Sequence, residues 1–137
     1  MTQEQDKYLV EKYPLIFMDR YGDMKKTAMV WGFEHGSGWF HIIDKLCSCI
    51  QNYIDNNKKP QIVATQVKEK FGSLRFYFSG GDNLIDGMVW MAEHLSYYTC
   101  EDCGTTNKVG HTKGWIYTLC EECSIERNLQ NWSLDER

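Results

Sequence analysis

The sequence predicts an α+β protein in which a small β-hairpin or sheet packs with two main helices and a zinc ribbon follows towards the C-terminal end. Three observations carry this prediction. Apolar residues recur at helical spacing in two segments, an alternating pattern between them is typical of paired strands, and two C-x2-C pairs lie near the end of the chain. At 137 residues the chain is long enough for one modest domain with a small metal-bound appendage.

The first half of the chain predicts two helices separated by irregular structure. Residues 2–13 indicate a short polar helix that Pro14 ends, because proline lacks the N–H that a helix interior needs. Residues 14–38 have no clean period, so we expect irregular or short extended structure. From residue 39 to 56 the pattern is helical. Its apolar stripe consists of Phe40, Ile43, Cys47, Ile50 and Ile54.

The second half begins with a predicted hairpin over residues 61–79, with its turn at Gly72 and Ser73. Asp82 is placed to cap a helix that runs to about residue 98. Residues 114–119 alternate like a strand, and the tail is a short helix at best. We therefore divide the chain into an α+β core (residues 1–98), a zinc ribbon packed on it (99–124) and a tail (125–137).

The strongest chemical signal is the spacing of Cys100, Cys103, Cys120 and Cys123, with sixteen residues between the two pairs. Two residues between cysteines let one turn aim both sulfurs at a single point, as a tetrahedral Zn²⁺ requires. Two disulfides are the competing interpretation, but they require an oxidising compartment, and the first residues are polar without an apolar signal segment. Four thiolates leave no open coordination position, which favours structural zinc. We expect His111 to be an exposed loop residue.

Charge is distributed unevenly. Residues 99–124 hold two basic and four acidic side chains, which disfavours contact with a phosphate backbone. Residues 58–78 hold five basic side chains and one acidic one, although the whole chain has a net charge of −4. Lys68, Lys70, Arg75 and Tyr77 are the candidate ligand-binding residues of the hairpin, since they could hold a phosphate by charge and stack on a ring. The alternative is the solvated side of a two-stranded sheet.

The segment WGFEHGSGW, residues 31–39, is the second candidate for a ligand surface. Its glycines permit close approach of the backbone to a ligand, and we name Trp31, His35 and Trp39 as possible contacts. The alternative is a turn-rich loop whose tryptophans fill the core. The segment contains no P-loop and no GxGxxG pattern.

Three stretches together resemble a group of small uncharacterised proteins encoded by phages and prophages. They are GSGWFHIIDKLC, QVKEKFGSLRFYFSGG and CEDCG…KGWIYTLCEEC, which give a GxGW helix start, a KEKFGxLRFY hairpin and a four-cysteine ribbon in that order. The resemblance covers residues 13–123. It implies an accessory protein that acts inside an infected bacterium, and such proteins commonly act on host processes or defences by binding.

These observations favour a non-catalytic, cytoplasmic binding protein without a membrane span. Its hairpin would hold an anionic, nucleotide-like molecule, and sequestration of a nucleotide defence signal would fit the phage setting. The alternative is a protein–protein interaction module, in which the ribbon and the tail contact a host protein or a second copy of the chain. Nucleic-acid binding ranks third because of the acidic net charge. The sequence offers no positive case for an enzyme.

Overall fold

The computed structural model describes residues 1–135, so the last two residues of the predicted tail, 136 and 137, lie outside it. The helices are α1 (Gln3–Lys12), α2 (Phe40–Asn57), α3 (Asn83–Ser96) and α4 (Glu121–Glu126). The strands are β1 (Phe33–Glu34), β2 (Val63–Lys70), β3 (Ser73–Ser79), β4 (Val109–Thr112), β5 (Thr118–Cys120) and β6 (Trp132–Leu134). Short 3-10 helices cover Ala28–Trp31 and Ser37–Trp39. The predicted α+β class is confirmed.

The first sheet has the order β1-β2-β3. Strands β2 and β3 form the predicted antiparallel hairpin, whereas β1 pairs with β2 in parallel, with Phe33 opposite Val67. The sequence predicted irregular or short extended structure in this segment, but not its pairing with β2. The hairpin turn is also one residue earlier than predicted: Phe71 and Gly72 occupy it, with φ values of 54° and 81°. Two positive φ values in a two-residue turn fit the type I′ geometry that matches the twist of the strands.

The main core lies between this sheet and helices α2 and α3. Four of the five residues of the apolar stripe of α2 are buried as predicted, and Phe40 is partly buried against the core. Asp82 caps α3 by accepting a hydrogen bond from the N–H of Ile85 at 3.0 Å. Helix α1 joins the core through the buried carboxylate of Asp44, which accepts bonds from Tyr13 Oη at 2.6 Å and from Lys12 Nζ at 3.0 Å.

The second sheet has the order β5-β4-β6 and includes a strand of the tail, for which the sequence indicated a short helix at best. Strand β6 pairs with β4, and Trp132 Nε1 donates to the carbonyl oxygen of Leu119 at 2.8 Å. These contacts attach the tail to the small cluster of buried residues around the cysteines. We refer to residues 99–135 as the metal module, since they share this sheet and this cluster.

Candidate metal centre and ligand surface

The first cysteine pair lies on a tight turn that begins at Cys100, four residues after the end of α3. The N–H of Gly104 donates to the carbonyl oxygen of Cys100 at 2.9 Å, and Gly104 has a φ of 81°. Only glycine adopts this left-handed conformation freely, and the turn places the sulfurs of Cys100 and Cys103 on one side of the chain.

The second pair has a different setting. Cys120 ends β5 and caps α4, and Cys123 lies in the first turn of that helix, where its N–H donates to Cys120 Sγ at 3.4 Å. The sequence predicted a tight turn for each pair, and the second pair lies instead at the junction of a strand and a helix. Burial, and after it the hydrogen bonds with the thiols of Cys120 and Cys100, raises the pKa of the Cys123 thiol.

The four sulfurs lie within 4.8 Å of one another, and Cys103 Sγ is 3.7 Å from Cys120 Sγ. A tetrahedral ion with metal–sulfur bonds of about 2.3 Å separates its ligands by about 3.8 Å. A disulfide would require a sulfur–sulfur distance of about 2.05 Å, and all six cysteines are free. The four cysteines therefore form a possible site for one metal ion.

The environment of Cys100 suits a metal ligand. Its side chain is fully buried, which by itself raises the pKa of the thiol. The backbone N–H groups of Cys103 and Cys120 point at this sulfur and outweigh burial, so the pKa of Cys100 lies below its usual value. Amide donors of this kind stabilise the thiolate that a metal requires.

His111 is not the exposed loop residue that the sequence predicts. It lies in β4 with 9% of its surface exposed, stacks on the Tyr97 ring at a centroid distance of 3.8 Å, and places Nδ1 2.7 Å from Asp135 Oδ1. It is outside the cysteine cluster. Its backbone pairs with Thr118 and Ser133, so β4 is the central strand of the sheet and its side chains are covered.

The glycine-rich segment 31–39 joins the core to the metal module. The N–H of Gly38 donates to the carbonyl oxygen of Glu101 at 2.7 Å, and Trp39 Nε1 donates to that of Thr99 at 2.9 Å. A Cβ atom added at Gly36 or Gly38 would lie within 2.4 Å of a backbone oxygen of the cysteine turn. These glycines thus allow two backbones to touch, which is the close approach that the sequence suggested for a ligand.

Of the three predicted contacts of this segment, His35 and Trp39 lie together in the interior and Trp31 lies at the surface. Trp39 is fully buried, and His35 is 8% exposed with its ring near that of Trp39. Neither residue offers a surface to a ligand at the hairpin. Trp31 is 63% exposed, at the end of a 3-10 helix that packs on β2.

The hairpin residues do share one face, as predicted. Lys68 pairs with Arg75 and Gln66 with Tyr77 across the strands, and paired residues of an antiparallel sheet point to the same side. The Arg75 guanidinium donates to Ser73 Oγ at 2.5 Å and to the carbonyl oxygen of Leu74 at 3.0 Å. Within residues 1–135 neither Lys68 nor Lys70 has an ion pair or a hydrogen bond from its ammonium group.

A cavity of about 280 Å³, which we call the seam cavity, lies where the hairpin tip meets the metal module. Its lining comprises Lys68, Glu69, Lys70, Phe71, Gly114, Trp115 and Ile116. The sequence did not indicate Phe71 or Trp115 as site residues, because both fit the apolar positions of predicted strands. Both are exposed, by 69% and 72% respectively.

A larger groove, of about 580 Å³, lies between α2 and α3. Its walls are almost entirely apolar, and Leu46, Met88 and Met91 are among the side chains that form them. Lys45 and His41 stand on its α2 side. The two cavities thus differ in chemistry, since two lysines and two aromatic rings line the smaller one.

None of the helices within residues 1–135 combines the length and apolar character needed to cross a bilayer.

Comparisons of the chain with models of protein families, with curated proteins and with solved structures gave no match.

Proposed function

We propose that the four cysteines bind one structural Zn²⁺ and that the chain is a non-catalytic binding protein whose hairpin holds an anionic, nucleotide-like ligand. Zinc fits the donor set, because four thiolates at tetrahedral spacing suit a borderline-soft ion without a preferred geometry of its own. A four-cysteine site leaves no position for a reactive water, which supports a structural role.

Metal analysis combined with native mass spectrometry tests the zinc site. We expect one Zn²⁺ per chain, and we expect Cys103→Ser to lose it, because a serine hydroxyl is a poor zinc ligand. Cys49→Ser is the matched control, since Cys49 is an exposed free cysteine on α2 outside the cluster. Metal-free wild-type protein, or full zinc content in Cys103→Ser, would contradict the proposal.

The observation that supports an anionic ligand is that the ammonium groups of Lys68 and Lys70 form no ion pair within residues 1–135, on a chain with a net charge of −4. These two lysines lie beside the exposed rings of Phe71 and Trp115, and their positive charge is available to a ligand. Arg75 has a smaller role in this proposal than the sequence suggested, because its guanidinium is already bonded to its own strand.

Calorimetry against a panel of nucleotides tests this part. We expect binding that weakens at least about tenfold in the Lys68→Ala/Lys70→Ala double variant, because each charged hydrogen bond to phosphate contributes about 1.5–3 kcal/mol. Lys58→Ala/Lys59→Ala is the matched control, since these two exposed lysines follow α2 and do not line the seam cavity. If no nucleotide binds, or if both double variants bind like the wild type, the anionic-ligand proposal is wrong.

A further inference from the structure

The two walls of the seam cavity are fixed to each other. Thr118 Oγ1 donates a hydrogen bond to the carbonyl oxygen of Gly72, which connects β5 to the hairpin turn. Gly72 has a φ of 81°, and a Cβ atom there would lie 2.6 Å from Ile116 Cγ2. The hairpin tip and the loop between β4 and β5 are therefore in direct contact, and the cavity between them has a defined shape.

Phe71 occupies an unfavourable position for its residue type. Its φ of 54° belongs to the left-handed region, which asparagine and glycine prefer in turns of this kind. A bulky residue there costs on the order of 1 kcal/mol. Burial does not offset this cost fully, because the side chain is 69% exposed. The fold itself therefore gives little reason for a phenyl ring at the tip of the hairpin.

Trp115, on the opposite wall of the seam cavity, is likewise a large aromatic residue that is mostly exposed to solvent. It follows Gly114, whose φ is 81°, and 72% of its surface is exposed. Two large aromatic side chains thus stand at neighbouring loop tips with most of their surface in solvent. Their rings are available for stacking on a flat ligand, which contributes about 1–3 kcal/mol for each nucleobase.

The charges beside these rings are positive, and no carboxylate within residues 1–135 forms an ion pair with them. Lys70 Nζ lies 5.6 Å from the centroid of the Phe71 ring, and Lys68 lies two residues earlier on the same side of β2. Glu69 also lines the cavity, but it alternates with the lysines, and its Oε2 atom is buried away from solvent. A ligand that satisfies this surface has a flat ring and a negative group a few ångströms apart.

We propose that the seam cavity binds a nucleotide, with the base stacked on Phe71 and Trp115 and the phosphate held by Lys68 and Lys70. This inference rests on the proposed anionic-ligand function and names its ligand class and its site. The volume of about 280 Å³ suits one base, with the sugar and phosphate at the rim. Because Trp115 belongs to the metal module, the metal centre holds one wall of the site in place.

The binding experiment uses the full-length, zinc-loaded protein and three probes: adenosine monophosphate, ribose 5-phosphate and a thymidine oligonucleotide of about six residues. We expect ribose 5-phosphate to bind at least about tenfold more weakly than adenosine monophosphate, because it cannot stack. The oligonucleotide distinguishes the source of the nucleotide. Tighter binding than the monophosphate indicates a single strand, equal or weaker binding indicates a free nucleotide, and each result supports the site.

Trp115→Ala separates this inference from the broader function. We expect about tenfold weaker binding of adenosine monophosphate, whereas Trp90→Ala, which removes a 75% exposed tryptophan from α3, leaves binding unchanged. Unchanged zinc content and melting temperature show that each variant is folded. If Lys68→Ala/Lys70→Ala weakens binding and Trp115→Ala does not, stacking is overturned and the anionic-ligand function stands. If no probe binds, both are overturned.

Removal of the metal tests whether the metal centre holds the Trp115 wall of the seam cavity in place. We expect chelated protein to lose affinity for adenosine monophosphate by at least as much as Trp115→Ala does, and to regain it when Zn²⁺ is restored. Unchanged affinity after chelation would overturn the role of the metal in assembling the site.

Discussion

A methyl group at Gly38 would lie 2.0 Å from the carbonyl oxygen of Cys100, well inside van der Waals contact. The clash is with backbone on both sides, so no side chain can move aside to relieve it. Gly38→Ala is therefore expected to lower the free energy of unfolding by about 3 kcal/mol, at the upper end of the range for overpacking. Chemical denaturation with zinc present measures this change.

Gly87→Ala is the matched control, because a Cβ atom at this exposed position of α3 meets nothing within 4 Å. Alanine is a better helix former than glycine, so we expect a gain of about 0.5–1 kcal/mol. Equal stability of the two variants would contradict the contact between residues 36–38 and the cysteine turn.

Two buried groups near this contact titrate in opposite directions. Burial lowers the pKa of His35 to about 4, which leaves the imidazole neutral, with Nδ1 2.8 Å from the carbonyl oxygen of Gly36. Burial and the nearby charge of Glu69 raise the pKa of Glu101 to about 7. A histidine in the unfolded chain has a pKa of about 6.5. As the pH falls, the unfolded chain therefore binds a proton at His35 at a higher pH than the folded chain does. At Glu101 the folded chain binds the proton at the higher pH.

The stability of the wild type relative to His35→Gln should therefore fall by about 1.4 kcal/mol between pH 7.5 and pH 5.5, since the unfolded histidine binds its proton over this range. Relative to Glu101→Gln it should instead rise by about 2 kcal/mol, because the buried carboxyl becomes neutral. Unfolding curves at several pH values, with zinc in excess, measure both slopes. Two slopes of the same sign would contradict the burial described for His35 or for Glu101.

At the scale of the elements, the outer edge of β3 is covered by side chains of α3. Ser96 Oγ accepts a hydrogen bond from the N–H of Leu74 at 2.8 Å, and Glu93 Oε2 accepts one from Phe76 at 3.0 Å. An uncovered strand edge would offer these N–H groups to another chain. Helix α3 thus completes the sheet as well as burying its apolar face.

Ser96→Ala should lower the free energy of unfolding by about 1–3 kcal/mol, because it leaves the buried N–H of Leu74 without a partner. Ser133→Ala is the control, since Ser133 is exposed on β6 and its hydroxyl makes no hydrogen bond within residues 1–135. Thermal or urea unfolding measures the difference. If the two variants were equally stable, this edge contact would contribute nothing.

The sequence predicted the elements whose signals are local. Helix α2, helix α3 and the β2–β3 hairpin follow from periodicity and capping, and the cysteine spacing indicated the cluster. Strand β1 has two residues and exists only because β2 lies beside it, so no period could reveal it. Strand β6 depends in the same way on β4.

Contacts between distant segments of the chain explain why the sequence did not predict the rest of the candidate site. The glycines of residues 36–38 could equally have faced a ligand or another backbone, and only the position of the cysteine turn distinguishes the two. Phe71 and Trp115 come together through the contact of Gly72 with Thr118, which joins positions 46 residues apart. No spacing rule within either segment predicts that contact.

At the scale of the whole molecule, two buried clusters of unequal size share one structure. The main core contains twenty buried residues, whereas the cluster of the metal module contains five, three of them cysteines. So small an apolar cluster cannot offset the chain entropy of residues 99–135, and a bound ion is the usual means of stabilising such a unit. The two clusters are joined through Gly38, Trp39 and the hairpin turn.

Removal of the metal should therefore unfold the metal module while the main core stays folded. The indole N–H groups provide the measurement by NMR. We expect the signal of Trp132, which donates to Leu119 in the module, to move to its unfolded position, and that of Trp39 to shift because Thr99 is released. The signal of Trp90, exposed on α3, should stay in place.

Hydrogen exchange provides the complementary measurement, because amides protected by the main core report it independently. The amides of Ile43, Ile50 and Ile54 on α2 should keep their protection after chelation, and those of Gly104 and Cys123 should lose it. Cys103→Ser should reproduce the chelated state and Cys49→Ser the native one. Loss of protection on α2 together with the module would mean that metal binding and folding of the entire chain form one cooperative step, and the seam cavity would then be assembled by folding as a whole.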